Sequence, residues 1–480
     1  MNTFLLLAAA LLGADSPKPN IIWFVVEDMS AHFSCYGEKA ISTPIVDNLA
    51  QDGTRFSKAF VTGPICSISR SAMITGMYQT AIGAQHHRSG RGTEKIQLPA
   101  GVVPVPVLFQ QAGYYTSNGS FPQIARGKTD YNFEFNQSMY NGSDWTGRKK
   151  GQPFFAQVQI HGGKYREGKN WDNIVQRELG KPTDPNSPLL KLPPYYPDDP
   201  VIRSDWARYL DTVRYTDKIV GQVLERLKNE KELENTVLFF WTDHGISHAR
   251  GKQFLYDEGI HVPLVISGKG IPKGKTRDDL VSHIDIAATS LAQAGIKVPA
   301  WMQGKDILAS DYKKREYIFA ARDRADETVD HIRCARSSSF KYIRNYLNQR
   351  PHLQPNAYKD GKEIVIQLRK LHEQKKLNSI QELIFSPTRP AEELYDLEKD
   401  PWEINNLAMN PSYATQMEAH RKALKEWESQ SNDTGRKPET ISRYDSDMAV
   451  YLNDIKRSPE RLAIIQKNIQ QMKDWASQGK

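Results

Sequence analysis

In the stretch NIIWFVV at residues 20–26, Asn20 is followed by six consecutive apolar residues, and two carboxylates, Glu27 and Asp28, follow directly. Two further apolar runs also end on side chains able to do chemistry: residues 153–160 before His161, and residues 236–242 before Asp243 and His244. Runs rich in β-branched and aromatic residues are typical of strands in a parallel sheet that is covered on both faces. Because ligands bind beyond the carboxyl ends of such strands, we expect these side chains to meet at one edge of the sheet.

Strand-like and helix-like segments alternate between about residues 19 and 310, which predicts βαβ units and a mostly parallel sheet. Candidate helices in this part are 43–52, 69–75 and 204–228. The proline-rich segment 181–200 predicts a surface loop without regular structure.

The pattern changes beyond Asp311. Antiparallel strands are predicted at 317–320, 331–336 and 340–346, and helices at 362–374 and 459–475. We therefore expect an α/β catalytic domain at residues 19–310 and a smaller α+β domain at 311–480. A chain of 480 residues is long enough to bury a core in each of them.

The net charge of +8 favours polyanionic partners in a general way. The sequence contains no helix-turn-helix, zinc-finger or RNA-binding signature, and its basic residues are spread along the chain. We therefore do not expect nucleic acid as the partner.

The N-terminus carries an apolar run at residues 4–12, followed by small residues up to Ala14. This pattern predicts a signal peptide at residues 1–14 and a periplasmic or secreted protein, although no basic residue precedes the run; a disordered N-terminus is the alternative. No other segment approaches the roughly 18 apolar residues of a transmembrane helix. Three cysteines, Cys35, Cys66 and Cys334, are too few for a disulfide framework, and a Cys35–Cys334 bridge and two free thiols both stay open.

The segment Cys66-Ser67-Ile68-Ser69-Arg70, continued by SAMITG, lies downstream of the strand that ends in two carboxylates. It resembles the signature of the type I, formylglycine-dependent sulfatases. Four further elements occur in the order that this family shows: the opening strand with its acidic pair, Asp243-His244-Gly245, residues 251–263 and residues 393–401. The resemblance implies an alkaline phosphatase-like fold, with a large mixed sheet between helices and a smaller C-terminal domain with an antiparallel sheet. Within the family, the chain is similar to bacterial polysaccharide sulfatases and to the sulfamidase branch.

Cys66 matches the cysteine that these sulfatases oxidise to formylglycine, whose hydrate attacks sulfur. The resemblance thus implies a formylglycine-generating or anaerobic sulfatase-maturing enzyme as a partner. The segment from Cys66 to Arg70 departs from the family pattern at Ile68, where proline or alanine is usual. Four other positions match the calcium ligands that surround the nucleophile: Glu27, Asp28, Asp243 and His244. Carboxylates suit Ca²⁺, which prefers oxygen ligands; glutamate at 27 and histidine at 244 replace the more usual aspartate and amide.

Other roles follow from the same resemblance. Arg70 is expected to hold the formylglycine hydrate, and Lys128 and Lys252 the sulfate; Asp130 stands where the family usually has a histidine. A leaving alkoxide needs a general acid, for which His248 is the first candidate and His161 the second. Five further residues are expected to bind the substrate, with solvated surface charge as the alternative: His86, His87, Arg88, Arg322 and Arg324.

The sequence therefore predicts a sulfatase that acts on sulfate esters or sulfamates of a sulfated carbohydrate. The enzymatic alternative is a phosphomonoester or phosphonate hydrolase of the same superfamily. From a different class, the alternative is an inactive protein that binds sulfated glycans through an unconverted Cys66.

Overall fold

The computed structural model describes residues 17–480, so the predicted signal peptide at 1–14 lies outside the described residues. Within them, nine strands form one mixed sheet. They are β1 (Asn20–Val26), β2 (Gly53–Phe60), β3 (Tyr115–Phe121), β4 (Ala125–Arg126), β5 (Phe154–Ile160), β6 (Thr236–Thr242), β7 (His261–Gly268), β8 (Lys275–Arg277) and β9 (Val281–Ser282). Their order is β4-β3-β5-β1-β6-β7-β2-β8, and β9 pairs with β2.

The centre of this sheet is parallel, as the apolar runs predict. Strands β3, β5, β1 and β6 are parallel neighbours, whereas β7 runs antiparallel to β6 and β2. Val26 pairs with Ile160 on one side and with Thr242 on the other. The three apolar runs therefore end at the same edge, which places the residues that follow them next to one another.

Thirteen helices surround the two sheets within residues 17–480. They are α1 (Pro44–Gln51), α2 (Cys66–Thr75), α3 (Val105–Gln111), α4 (Trp171–Leu179), α5 (Pro200–Asn229), α6 (Asp257–Ile260), α7 (Asp285–Gln293), α8 (Ala357–Asp360), α9 (Glu363–Glu373), α10 (Ser379–Glu382), α11 (Ala414–Gln430), α12 (Ile441–Leu452) and α13 (Pro459–Ser477). No helix among the described residues has the length and apolar character needed to cross a membrane.

Strand β1 is apolar from Ile21 to Val26 because helices cover both faces of the sheet. Successive side chains of a strand point to opposite faces. Ile22, Phe24 and Val26 pack in the core that contains residues of α5, whereas Ile21 and Trp23 pack in the core that contains residues of α2, α3 and α7.

The second half of the chain forms the predicted antiparallel sheet, in the order β10 (Ile318–Arg322), β11 (Ile332–Arg336), β12 (Phe340–Asn345) and β13 (Glu392–Asp396). Helix α11 packs against β11 and β12. The other face of this sheet, which includes Cys334 and Ile343, joins the same core as α5. The α/β fold class with a smaller antiparallel sheet is thus confirmed, and Cys35, Cys66 and Cys334 are free thiols.

Two helices begin earlier than their sequence pattern predicts. Helix α5 starts at Pro200, because the side chain of Asp199 accepts hydrogen bonds from the first backbone amides and proline suits the first helical position. The sequence pattern predicts this proline in the preceding loop, at 181–200. Helix α2 starts at Cys66, directly after the extended residue Ile65.

Candidate active site

Cys66 is the first residue of α2, at the edge where β1, β5 and β6 end. Its Sγ atom lies 3.0 Å from Nε2 of His244 and 3.1 Å from Nζ of Lys252. Oδ1 of Asp28 and Nζ of Lys164 are each 3.7 Å away. Only 3% of Cys66 is exposed, so these groups determine its electrostatic environment.

The predicted calcium ligands surround this sulfur atom. Asp28, Cys66 and His244 form one group of potential ligand atoms, and Glu27, Cys66 and Asp243 form a second, each within 4.8 Å. Nε2 of His244 is 3.0 Å from Oδ1 of Asp28 and 3.5 Å from Oδ1 of Asp243. Oxygens bound to Ca²⁺ at right angles lie about 3.3–3.7 Å apart. The separations of 3.0 and 3.5 Å are close to this range, and the three carboxylates offer the oxygen ligands that a hard divalent cation prefers.

Arg70 lies one turn after Cys66 on the same face of α2. Its Nε donates to Oδ2 of Asp243 at 2.9 Å, and its Nη1 donates to Oε1 of Gln159 at 2.8 Å. Its Nη2 lies 3.8 Å from Oε1 of Glu27. The four-residue spacing thus lets one helix turn provide both Cys66 and the cation that orients two carboxylates.

Three lysines complete the cluster. Nζ of Lys128 lies 2.8 Å from Oε2 of Glu27, and Lys164 also pairs with that carboxylate. Nζ of Lys252 lies 3.3 Å from Oδ1 of Asp28. Among the described residues, one arginine and three lysines contact the three carboxylates of the site. The site therefore carries an excess of positive charge before any metal binds.

This charge excess favours an anion at position 66. Burial alone would raise the pKa of the Cys66 thiol, but the charges of Lys128, Lys164 and Lys252 lower it to about 6. Burial would lower the pKa of His244, but the charges of Asp243, Cys66 and Asp28 raise it to about 10.

Lys164 was not predicted from the sequence. It follows two glycines that come directly after β5 and His161. A Cβ on Gly162 would lie 2.2 Å from the backbone oxygen of Glu27, and a Cβ on Gly163 2.2 Å from that of Asp28. The glycines therefore let this turn pass close to the acidic pair and bring Lys164 to Cys66. Two consecutive glycines after a buried strand were the available signal for this close approach.

Helix α8 brings two further residues that the sequence did not indicate. Oη of Tyr358 donates to Oδ2 of Asp28 at 3.3 Å. The buried Nζ of Lys359 donates to the backbone oxygens of His248 at 2.8 Å and Lys252 at 2.5 Å. The second half of the chain thus fixes both a proposed metal ligand and the loop that carries Lys252.

Neither of the two histidines proposed as acids makes a hydrogen bond to the sulfur atom of Cys66 among the described residues. His248 is fully buried, pairs with Asp205 and packs against Trp206. Burial lowers the pKa of His248 to about 4, although Asp205 acts in the opposite direction. His161 is exposed at the end of β5, with its ring centroid 5.2 Å from that of Tyr165.

Four of the five residues proposed for substrate binding are buried. Arg322 pairs with Asp330 at 2.8 Å. Arg324 is bonded to Glu439 at 2.8 Å and to Asp447 at 2.6 Å. Glu439 and Asp447 lie 115 and 123 residues after Arg324 in the chain, whereas Asp330 lies eight residues after Arg322. Each arginine therefore forms a buried ion pair within the fold.

The two histidines of this group are buried as well. His86 faces the backbone amide of Arg324, and burial lowers its pKa to about 4. His87 bonds Oγ of Ser67 at 2.8 Å. Arg88 differs from the other four, because 38% of its side chain is exposed.

We predict that Arg70→Met destabilises the metal-free protein by about 3–5 kcal/mol, because it leaves the buried carboxylate of Asp243 without its cationic partner at 2.9 Å and removes one of the three cations beside Glu27. Arg177→Met is the matched control, since the side chain of Arg177 is 64% exposed and pairs only with Glu178. For this surface pair we expect a loss of at most about 1 kcal/mol. Urea denaturation measures both free energies of unfolding, and equal, small losses would contradict the assigned role of Arg70.

Comparisons with known proteins match most of this chain. The family model described as Sulfatase matches residues 19–296, and the one described as N-sulphoglucosamine sulphohydrolase, C-terminal, matches residues 244–386. An ulvan-active sulfatase of Formosa agariphila is 33% identical over 464 residues, which cover 88% of this chain and 77% of that protein. The N-sulphoglucosamine sulphohydrolase of Homo sapiens is 25% identical over 473 residues, covering 88% of this chain and 92% of that protein.

A solved structure of a protein in complex with its substrate, D-glucosamine-2-N,6-O-disulfate, has the same fold. The TM-score is 0.60 at 19% identity, and the match covers 87% of this chain and 98% of that chain. Because the sulfatase match spans more than half of the sequence, the chain belongs to the sulfatase family of sulfuric ester hydrolases.

Proposed function

We propose that this protein removes sulfate from a sulfated saccharide, as an ester or a sulfamate, with a formylglycine formed from Cys66 and one calcium ion. The position of Cys66 carries the proposal. It begins a helix whose N-terminus favours negative charge, and its Sγ lies within 3.7 Å of two lysines, one carboxylate and His244. These surroundings stabilise negative charge on the atom bound to Cβ of residue 66, as an attacking oxygen requires.

The formylglycine hydrate supplies a hydroxyl that attacks sulfur, and a second hydroxyl whose deprotonation releases sulfate and restores the aldehyde. Glu27, Asp28, Asp243 and His244 would hold the calcium ion, which supplies positive charge beside that nucleophile. Tyr358 fixes Asp28 by its 3.3 Å hydrogen bond, so this ligand keeps its orientation.

The chain's own cations are placed to bind the sulfate. Lys252 and Lys164 both contact the atom at position 66, and Lys128 lies beside Glu27 with 27% of its side chain exposed. As the bond to the leaving oxygen breaks, these lysines neutralise negative charge on the nonbridging oxygens. Their number explains why a site with three carboxylates still accepts an anionic substrate.

The leaving oxygen needs a proton when the substrate is an alkyl sulfate. His248 is unsuited to this task, because it is buried, paired with Asp205 and without contact to Cys66 among the described residues. We assign the proton donor to His161 or Lys164, which leave β5 at the open side of the site.

The names of the relatives support the substrate class. They refer to ulvan and to N-sulphoglucosamine, and the protein of similar fold binds a glucosamine disulfate. The net charge of +8 suits a sulfated polymer. The apolar run at residues 4–12 supports export to the periplasm or beyond, and conversion of Cys66 requires a maturing enzyme.

We predict that protein from its native host contains formylglycine at position 66. Mass spectrometry of the peptide with Cys66 is expected to show the aldehyde or its hydrate in place of the thiol. In a host whose maturing enzyme requires proline, Ile68→Pro should raise the converted fraction, whereas Ile455→Pro, at a fully solvent-exposed loop position, should not. An unmodified thiol in active enzyme would exclude this mechanism.

Removal of calcium is expected to abolish turnover. Elemental analysis should find one Ca²⁺ per chain, and Asp243→Asn should lower kcat by about 100-fold or more, since it removes a ligand charge and the partner of Arg70. Asp172→Asn, at an exposed ion pair, is the control. Two zinc ions per chain, with phosphate released faster than sulfate, would favour the phosphomonoester or phosphonate hydrolase instead.

The proton donor can be identified from the leaving group. We compare His161→Ala with Lys164→Met. The variant that removes the proton donor should lose about 100-fold or more in kcat on saccharide sulfates, because their leaving oxygen needs protonation. The same variant should lose far less in kcat on nitrophenyl sulfate. His372→Ala, an exposed histidine paired with Glu382, should behave like wild type. Equal losses on both substrates in both variants would show that neither residue supplies the proton.

Binding without cleavage of any compound, despite converted Cys66, would favour the inactive glycan binder.

A further inference from the structure

The active site opens to solvent at one side. Asp28, Asp243 and His244 are fully buried, whereas side chains of Lys128 and Arg88 are 27% and 38% exposed. Asp130 joins these two cations: its carboxylate lies 3.2 Å from Nζ of Lys128 and 3.9 Å from Nε of Arg88. A substrate whose sulfate reaches Cys66 therefore has to extend past this rim.

A cavity of about 640 Å³ lies beyond the rim. It is open to solvent and is lined by the loop at residues 88–93, the end of α12 and the segment between α12 and α13, with Arg88, Arg91, Tyr451 and Arg457 in its wall. Ligand sites for small molecules have volumes of roughly 300–1,000 Å³. The cavity can therefore hold one sugar unit next to the unit that loses its sulfate.

The wall of this cavity is positively charged. It contains three arginines and one carboxylate, Asp454, which lies 3.1 Å from Nε of Arg457. Arg91 pairs with Asp130, but Lys128 also contacts that carboxylate. The guanidinium group of Arg88 makes no hydrogen bond to any described residue, and its Nε is buried. A bidentate cation without a hydrogen-bonded partner is suited to a sulfate or carboxylate.

The backbone ties Arg88 to the nucleophile. Arg88 has a φ of 54°, a left-handed conformation that is unfavourable for a residue with a side chain. Its amide donates to Oγ of Ser67 at 2.9 Å, and Ser67 is the neighbour of Cys66. Strained backbone of this kind persists where the surrounding structure holds it and is frequent at ligand sites. The position of Arg88 is thus fixed relative to the atom that attacks sulfur.

We propose that this cavity is a subsite for a second anionic group, carried by the sugar unit next to the one that is desulfated. The proposal rests on the proposed sulfatase function. Arg88, Arg91 and Arg457 form the subsite, and its ligand is a sulfate or a carboxylate, since both present oxygens that a guanidinium group can bind in the same way.

Three disaccharides test the subsite. All carry N-sulphoglucosamine at the reacting end, and the neighbouring sugar is neutral, carries a carboxylate or carries a sulfate. We expect kcat/KM for at least one charged probe to exceed that for the neutral probe by about tenfold, as for a charge-assisted hydrogen bond. The carboxylate and sulfate probes show which anion the subsite prefers. Equal values for all three would overturn the proposal.

Variants assign the effect to the cavity. Arg88→Gln and Arg457→Gln should each reduce the ratio between charged and neutral probes to near one, whereas Lys456→Gln, an exposed lysine beside Arg457, should keep the wild-type ratio. An unchanged ratio in both arginine variants would contradict the subsite.

A binding measurement separates this proposal from the proposed function. Isothermal titration of the same probes into Cys66→Ala should show tighter binding of the charged ones, and Arg457→Gln in that background should remove the difference. If the wild type cleaves no probe but these binding differences hold, the sulfatase function fails and the subsite stands. If all probes bind equally, the subsite fails whether or not sulfate is released.

Discussion

Three carboxylates are buried at the ends of β1 and β6, and the fold is compatible with them because cations surround them. An isolated buried charge costs several kcal/mol, so each of these groups needs an oppositely charged neighbour. Burial would raise the pKa of Glu27, but Lys128, Lys164 and Arg70 lower it far below its ordinary value. The cations come from α2 and from the loops after β4, β5 and β6, so the same contacts that offset the burial also hold four chain segments together.

The arrangement has a functional consequence. Because the cations outnumber the carboxylates, the site attracts an anion, and the atom at position 66 is surrounded by groups that favour negative charge. The order of the strands produces this convergence, since parallel neighbours end at one edge. Helix α8 adds Tyr358 and Lys359 to the edge from the second half of the chain, so the site depends on both halves of the chain.

Much of the fold could be predicted from local pattern. The apolar runs gave β1, β5 and β6 and their parallel pairing, and the change beyond Asp311 gave the antiparallel sheet. The predicted start of α5 is too late, because a proline such as Pro200 suits both a proline-rich loop and the first position of a helix. Only the hydrogen bonds of the Asp199 side chain show that Pro200 begins the helix. Arg322 and Arg324 could not be judged from sequence either, because their partners Asp330, Glu439 and Asp447 are recognised only once the chain is folded.

The sequence by itself determined which residues end the strands, because strand patterns are local properties of the chain. It predicted a helix only from Ser69 onwards, so the structure decided that α2 begins at Cys66 and carries Cys66 and Arg70 on one face. The tertiary structure alone decided which cations reach Cys66. Lys164 contacts Cys66 because Gly162 and Gly163 allow the turn after β5 to approach Glu27 and Asp28. His248 does not contact Cys66, because its ring packs against Trp206 and pairs with Asp205. Contacts of this kind join residues far apart in the chain, and their geometry depends on side-chain packing that no spacing along the sequence encodes.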